Sequence, residues 1–143
     1  CHVHAAIGPE DIAKARAAHP GAEFLIHPEC GCVSACMYLM TQKDSPAAGG
    51  HILSTGGMIR HARRSPAREF VIATETGILH RLRKENPQKV FHPVSEDSVC
   101  RYMKMITVEK LYRSLKDDVY EVKVPEDIAA RARIPIERML AIT

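Results

Sequence analysis

Short apolar segments that alternate with amphipathic ones are the feature that most constrains the fold of this chain. The clearest is EFVIA at residues 69–73, whose β-branched and aromatic residues indicate a buried strand. Further strands are predicted at 23–26, 51–53 and 89–94, helices at 9–18, 31–41, 58–64, 76–85 and 107–115, and a loop at 43–50. Strands that alternate with helices predict an α/β fold, here a three-layer α/β/α sandwich on a short parallel sheet.

The C-terminal segment contains a predicted strand followed by a predicted helix. Tyr120 to Val124 alternates like a strand, and Pro125 then opens a final helix. Pro135 is expected to kink or break that helix, because proline has no N–H for the helical hydrogen bond. We therefore predict a domain over residues 1–124 and a terminal helix over residues 125–143.

Composition excludes several classes of protein. Apolar residues make up 45% of the 143 residues and charged residues 26%, which is typical of a soluble globular domain. No apolar stretch approaches the ~20 residues that cross a bilayer, and a net charge of +3 is too small to indicate nucleic acid binding. Five cysteines without any sign of secretion are expected to be reduced thiols or metal ligands in a cytoplasmic protein.

His27-Pro28-Glu29 follows a predicted strand, where parallel α/β sheets place their functional groups. The proline between them stiffens the backbone, so that an imidazole and a carboxylate can point into one crevice. Together they offer an acid, a base and a hydrogen-bond donor at fixed spacing. The alternative is a polar turn between a strand and a helix, without a functional role.

Ser54-Thr55-Gly56-Gly57 also follows a predicted strand and leads into a helix. Hydroxyl and backbone N–H groups at a helix N-terminus bind phosphates and carboxylates, so this turn is a candidate anion site. The alternative is an ordinary helix cap with glycines for the turn. Spacing alone leaves both open.

The cysteines fall into two sets. Cys1 and Cys100 are isolated, whereas Cys30, Cys32 and Cys36 form a C-x-C-x3-C cluster. Such a cluster can bind a soft metal, which would make the chain a small α/β metal-binding module without catalysis. Buried thiols that pack as small hydrophobic groups explain the same spacing.

Six short motifs occur in an order that resembles the quinolinate synthase family across nearly the whole chain. They are Cys1-x-x-His4, HPEC at 27–30, Ser54-Thr55, TETG at 74–77, Cys100-x-x-Met103-Lys104 and IERML at 136–140. The resemblance implies an enzyme of NAD biosynthesis that condenses iminoaspartate with dihydroxyacetone phosphate to quinolinate, releasing phosphate and water. It also implies three pseudo-symmetric α/β/α domains, of which this chain is the C-terminal one, with residues 1–4 as the tail of the preceding domain.

The resemblance implies a 4Fe–4S cluster as cofactor, held by one cysteine from each domain. Cys1 and Cys100 match two of these ligands, and the third lies upstream of this chain. The iron without a protein ligand is expected to act as a Lewis acid. Residues 1–143 alone are therefore expected to be inactive, and the upstream domains of the same polypeptide are expected partners.

The substrate pocket is also implied by the resemblance. His4 and His27 match pocket histidines, Glu29 matches the glutamate that moves protons, and Ser54 with Thr55 matches the hydroxyl pair that binds substrate oxyanions. Aspartate oxidase is a further expected partner, as the supplier of iminoaspartate. The match departs from the family between Gly31 and Ile52, where the chain is longer, carries Cys32 and Cys36 and lacks the usual Ala-Asp. Leu53 there replaces the glycine of Gly-Ser-Thr, and the two extra cysteines receive no role.

Overall fold

The computed structural model describes residues 1–40 and 50–142, without the side chains at positions 35, 36, 39 and 40. The loop predicted at 43–50 therefore lies outside the described residues, apart from Gly50. The elements are, in chain order, α1 His2–Ala6, α2 Pro9–Ala18, β1 Glu23–Ile26, α3 Val33–Met40, β2 Gly50–Ile52, α4 Thr55–Arg64, β3 Glu69–Ala73, α5 Ile78–Glu85, β4 Val90–Pro93, a 3-10 turn Met103–Met105, α6 Val108–Asp117 and α7 Glu126–Leu140.

The four strands form one parallel sheet in the order β2-β1-β3-β4. β1 lies at the centre, pairing Leu25 with His51 of β2 and with Ile72 of β3. β4 lies at the edge, which explains why Pro93 can end it, since an edge strand needs fewer ladder donors. The predicted α/β fold with a short parallel sheet is confirmed.

Apolar side chains cover both faces of the sheet. One face packs Phe24, Ile26 and Val71 against α2, and the other packs Phe70 and Phe91 against α4 and α5. Both faces of a parallel sheet must be covered in this way, because neither carries the polar side chains of a solvated face. The sheet and its two helical layers form the predicted α/β/α sandwich.

The chain divides into two compact units, Cys1–Arg101 and Tyr102–Thr143. The sheet and every residue of the buried core belong to the first unit. No described residue of α6 or α7 in the second unit is buried. The division at residue 124 refers to the domains of the complete protein and stays a prediction. Among the described residues, no helix is long and apolar enough to cross a membrane.

One prediction for the second unit is wrong. Residues 120–124 form no strand, because Asp118 and Tyr120 have left-handed backbones, with φ of 50° and 67°, that interrupt an extended chain. α7 continues through Pro135, so of the expected kink or break the break does not occur. The helical hydrogen bonds on either side of the one missing N–H hold the two halves in a single helix.

Candidate functional site

The carboxyl ends of β1, β2 and β3 lie side by side. The Leu53 N–H donates to the Ile26 carbonyl at 2.9 Å, and the His27 N–H donates to the Ala73 carbonyl at 3.1 Å. The sheet hydrogen bonding thus continues one residue beyond the strands. The three turns that follow, which carry the candidate residues, consequently start from the same edge of the sheet.

His4 is the centre of a hydrogen-bonded group at this edge. Its side chain is buried, with Nε2 2.8 Å from Thr74 Oγ1 and Nδ1 3.3 Å from Glu29 Oε2. A carboxylate only accepts hydrogen bonds, so His4 Nδ1 donates to Glu29. The Gly31 N–H donates to the His4 carbonyl at 2.8 Å, which fixes α1 against the turn after β1.

His27 stacks on His4, with ring centroids 4.2 Å apart and planes 9° from parallel. Its Nδ1 accepts from the Glu29 N–H at 3.2 Å, which leaves the hydrogen on Nε2. Burial and the neighbouring His4 lower the pKa of His27, and Glu29 opposes them only in part. His27 is therefore a neutral imidazole at pH 7 whose Nε2–H can donate.

Glu29 is the most accessible member of the group. Its side chain is 63% exposed, and Oε2 lies 3.9 Å from the backbone nitrogen of Cys1. Pro28 precedes it in a turn that leads away from the strand end. The contacts bring His4, His27 and Glu29 together, and their shared role in one substrate crevice stays a prediction. The carboxylate is held by its neighbours yet remains open to a ligand.

Cys100 is bonded through its backbone to the turn after β3. Its N–H donates to Glu75 Oε1 at 3.2 Å, and Glu75 follows Thr74, the partner of His4. Cys1 is exposed and Cys100 is buried, and neither is in a disulfide. Contacts therefore run from Cys1 through Glu29, His4 and the turn after β3 to Cys100. That the two sulfurs share one cluster stays a prediction.

Ser54 caps α4. Its Oγ accepts from the Gly57 N–H at 3.2 Å, and Ser54 and Thr55 are both exposed at the edge where β2 ends. The predicted helix cap is confirmed. Anion binding by the same hydroxyls stays a prediction, and the two roles are compatible because the Ser54 oxygen has a second lone pair and a hydrogen to offer.

A disulfide joins Cys30 and Cys32, whose Cα atoms are 5.2 Å apart. The expectation of reduced thiols is thus wrong for these two residues. A bonded pair supplies no thiolate, so the metal module built on Cys30, Cys32 and Cys36 loses two of its three ligands. The side chain of Cys36 lies outside the described residues.

Sequence reasoning gave no role to two residues of this site. Thr74 is 3% exposed and orients His4, while Glu75 accepts from the Cys100 and Gly77 backbones. Both belong to the TETG motif after β3. Their position after a buried strand was the available signal, since polar residues at that place face the functional edge of a parallel sheet.

A parallel α/β domain with histidines and a carboxylate grouped at the carboxyl ends of its strands belongs to the class that binds small ligands at that edge. The family model for quinolinate synthetase A protein matches residues 1–141, and the chain belongs to this family. Quinolinate synthase of Thermus thermophilus is 57% identical over 142 residues, which are 99% of this chain and 44% of the relative.

Two further relatives carry the same name. Quinolinate synthase of Pyrobaculum aerophilum is 50% identical over 140 residues, 97% of this chain and 44% of the relative. That of Mycobacterium tuberculosis is 44% identical over 142 residues, 99% of this chain and 41% of the relative. The chain thus spans about two fifths of the length of the curated relatives it matches.

Proposed function

We propose that the complete protein is a quinolinate synthase and that this chain supplies part of its active site. The reaction joins iminoaspartate and dihydroxyacetone phosphate into quinolinate, and one phosphate and two waters leave. The group formed by His4, His27 and Glu29, in a chain whose Cys1 and Cys100 are free, is the observation that carries the proposal. Its imidazole donors and its exposed carboxylate suit substrates that are anionic and must exchange protons.

The two free cysteines fit a 4Fe–4S cluster. Thiolates are the ligands such clusters take, and Cys1 and Cys100 are free, whereas Cys30 and Cys32 are bonded to each other. Cys1 and Cys100 would hold the cluster together with a third cysteine from upstream. When bound, it supplies an iron without a protein ligand that acts as a Lewis acid on substrate oxygen or nitrogen.

His27 binds substrate, and His4 orients the neighbouring side chains. The Nε2–H of His27 is free to donate to a carboxylate or phosphate oxygen, because its Nδ1 is already engaged by the Glu29 N–H. His4 is held at both nitrogens and serves mainly to position Glu29. Replacing the Thr74 hydroxyl by an apolar group would remove the contact that orients the His4 ring.

Glu29 transfers protons. Forming the pyridine ring requires carbon-bound protons to leave and two hydroxyl groups to depart as water. A carboxylate that is held by His4 and exposed to the ligand can accept the carbon-bound protons and deliver protons to the departing hydroxyl groups. The order of these transfers is left open.

Ser54 and Thr55 bind a substrate oxyanion. Both hydroxyls are exposed at the N-terminus of α4, where backbone N–H groups and the helix dipole favour negative charge. The phosphate of dihydroxyacetone phosphate and the carboxylates of iminoaspartate are the candidates.

The rest of the polypeptide completes the enzyme. The chain spans about two fifths of its relatives, and α6 and α7 expose large apolar residues such as Val108, Leu115 and Ile136. Helices of a folded protein do not leave such residues in water without a partner to cover them. The upstream domains are the proposed cover, and aspartate oxidase, which would supply iminoaspartate, is the proposed metabolic partner.

Glu29→Gln in the complete, anaerobically purified protein tests this function. The change keeps the size of the side chain and its contact with His4 but removes the titrating group. We expect turnover to fall by about 10²-fold or more, which is typical for loss of a general acid–base, with an unchanged visible spectrum and melting temperature.

Glu10→Gln is the matched control, because Glu10 is exposed in the first turn of α2 and contacts none of the site residues described. It should retain full turnover. A Glu29→Gln enzyme with wild-type turnover would refute the proton-transfer role, and one that loses its cluster would make Glu29 structural instead.

A further inference from the structure

A second group of ligating side chains lies at the opposite end of β1 from Glu29. Glu23 begins β1, His51 lies in the neighbouring β2, and His61 lies in α4, which covers that face. Four residue-to-residue steps along the strand lead from Glu23 to His27, roughly 13 Å at about 3.3 Å per step. The group is therefore distinct from the proposed active site.

One carboxylate oxygen faces both histidines. Glu23 Oε2 lies 2.7 Å from His61 Nε2 and 4.0 Å from His51 Nε2. One donor atom from each of the three residues lies within 4.8 Å of the other two. The side chains are between 25% and 40% exposed, so an ion can reach them from solvent.

The other carboxylate oxygen is already fixed. The Ser65 hydroxyl, at the C-terminal end of α4, donates to Glu23 Oε1 at 2.9 Å. A hydroxyl that holds one oxygen of a carboxylate and leaves the second free is the usual arrangement behind a metal-ligating acid. The orientation of Glu23 is thus set before any ion binds.

We propose that Glu23, His51 and His61 form a binding site for a divalent transition metal of the zinc class. Zinc takes imidazole nitrogen and carboxylate oxygen at about 2.0–2.1 Å, which places tetrahedral ligands about 3.3–3.4 Å apart. The two distances from Glu23 Oε2 to the imidazole nitrogens, 2.7 and 4.0 Å, reach this spacing with shifts below ~1 Å. Water fills the remaining position or positions.

A second histidine–carboxylate group on the other face of the sheet provides the contrast. Glu69 lies 2.9 Å from His19 and 3.1 Å from His92, but those two rings stack with centroids 3.7 Å apart and planes only 20° from parallel. The lone pair of a ring nitrogen lies in the ring plane, so a metal in the plane of one of these nearly parallel rings lies out of the plane of the other, and the group is the poorer set of metal ligands. The His51 and His61 rings are tilted by 42°, which allows their planes to meet.

The test is zinc binding by the complete, cluster-containing protein kept anaerobic. Zinc and iron per chain are counted after equilibrium dialysis at buffered free Zn²⁺. We expect one zinc in addition to the cluster iron. Glu23→Gln, His51→Gln and His61→Gln should each weaken zinc binding about tenfold or more, while the matched control His92→Gln should not.

Zinc K-edge absorption of the wild-type protein identifies the ligands without any variant. The proposal predicts a nitrogen and oxygen shell near ~2.0–2.1 Å and no sulfur shell near ~2.3 Å. Equal zinc binding by wild type and the three variants, or zinc bound through sulfur, would overturn it. So would a wild-type protein that binds no zinc beyond its cluster.

Discussion

Removing the Ser54 hydroxyl separates helix capping from ligand binding. Ser54→Ala deletes the oxygen that accepts from the buried Gly57 N–H at 3.2 Å. Loss of such a cap costs about 1 kcal/mol of local stability. If Ser54 also binds a substrate oxyanion, a hydrogen bond to a charged group is lost as well, worth about 1.5–3 kcal/mol. Its loss would raise KM by about tenfold or more, since 1.4 kcal/mol corresponds to a factor of ten.

The chain offers a matched control for the cap alone. Thr107 caps α6 with the same geometry, its Oγ1 accepting from the Lys110 N–H at 3.2 Å, and it belongs to the other unit of the chain. Thr107→Ala should therefore cost a similar amount of local stability without changing KM.

Hydrogen exchange and steady-state kinetics on the complete enzyme read the two effects separately. In Ser54→Ala the Gly57 amide should exchange about fivefold faster, the factor that corresponds to ~1 kcal/mol, and KM for one substrate should rise. The Lys110 amide should respond in the same way to Thr107→Ala. A Ser54→Ala enzyme with faster exchange at the Gly57 amide but wild-type KM values for both substrates would refute the binding role of Ser54. Helix capping would then be its remaining role.

Two further predictions concern stability. Folding lowers the pKa of His27 from 6.5, so the unfolded chain binds the proton more tightly and the free energy of unfolding should fall as the pH drops below about 6.5. In urea titrations, His27→Gln should lose less of this free energy between pH 7.5 and 5.5 than the wild type. An equal loss would contradict the prediction. Lys89 donates to the Ala62 and Ser65 carbonyls at 2.7 and 2.6 Å, at the end of α4. Lys89→Met should therefore lower the free energy of unfolding by about 2 kcal/mol, which a lower urea midpoint would show. An unchanged midpoint would show that these bonds do not stabilise the fold.

The sheet and its helices could be predicted from the sequence because their signals are local. The apolar runs at 23–26 and 69–73 form strands with those bounds, and Pro9 opens α2 as expected. The prediction of a strand at Tyr120 to Val124 was wrong, because alternating apolar and polar residues form a strand only where a neighbouring strand can pair with them. Left-handed backbone at Tyr120 and the absence of a partner strand in the described part of the second unit removed that possibility.

The candidate site could be predicted only in part. His27 and Glu29 are two residues apart, so their proximity follows from one strand end, and His4 came from the family resemblance. Thr74 escaped notice because its bond to His4 joins residues 70 positions apart, and periodicity carries no information on such contacts. The Glu23, His51 and His61 group was missed for the same reason: strand register and helix packing bring it together.

The central claim is that Cys1 and Cys100 hold the cluster of a quinolinate-forming enzyme. It is tested most directly by assaying quinolinate and phosphate from iminoaspartate and dihydroxyacetone phosphate, with iron counts, in anaerobic complete protein and in Cys100→Ser. Wild type should form one phosphate per quinolinate, and Cys100→Ser should lose both the cluster iron and the activity. Absence of quinolinate from the iron-loaded wild type, or a Cys100→Ser protein that keeps its iron and activity, would contradict the account.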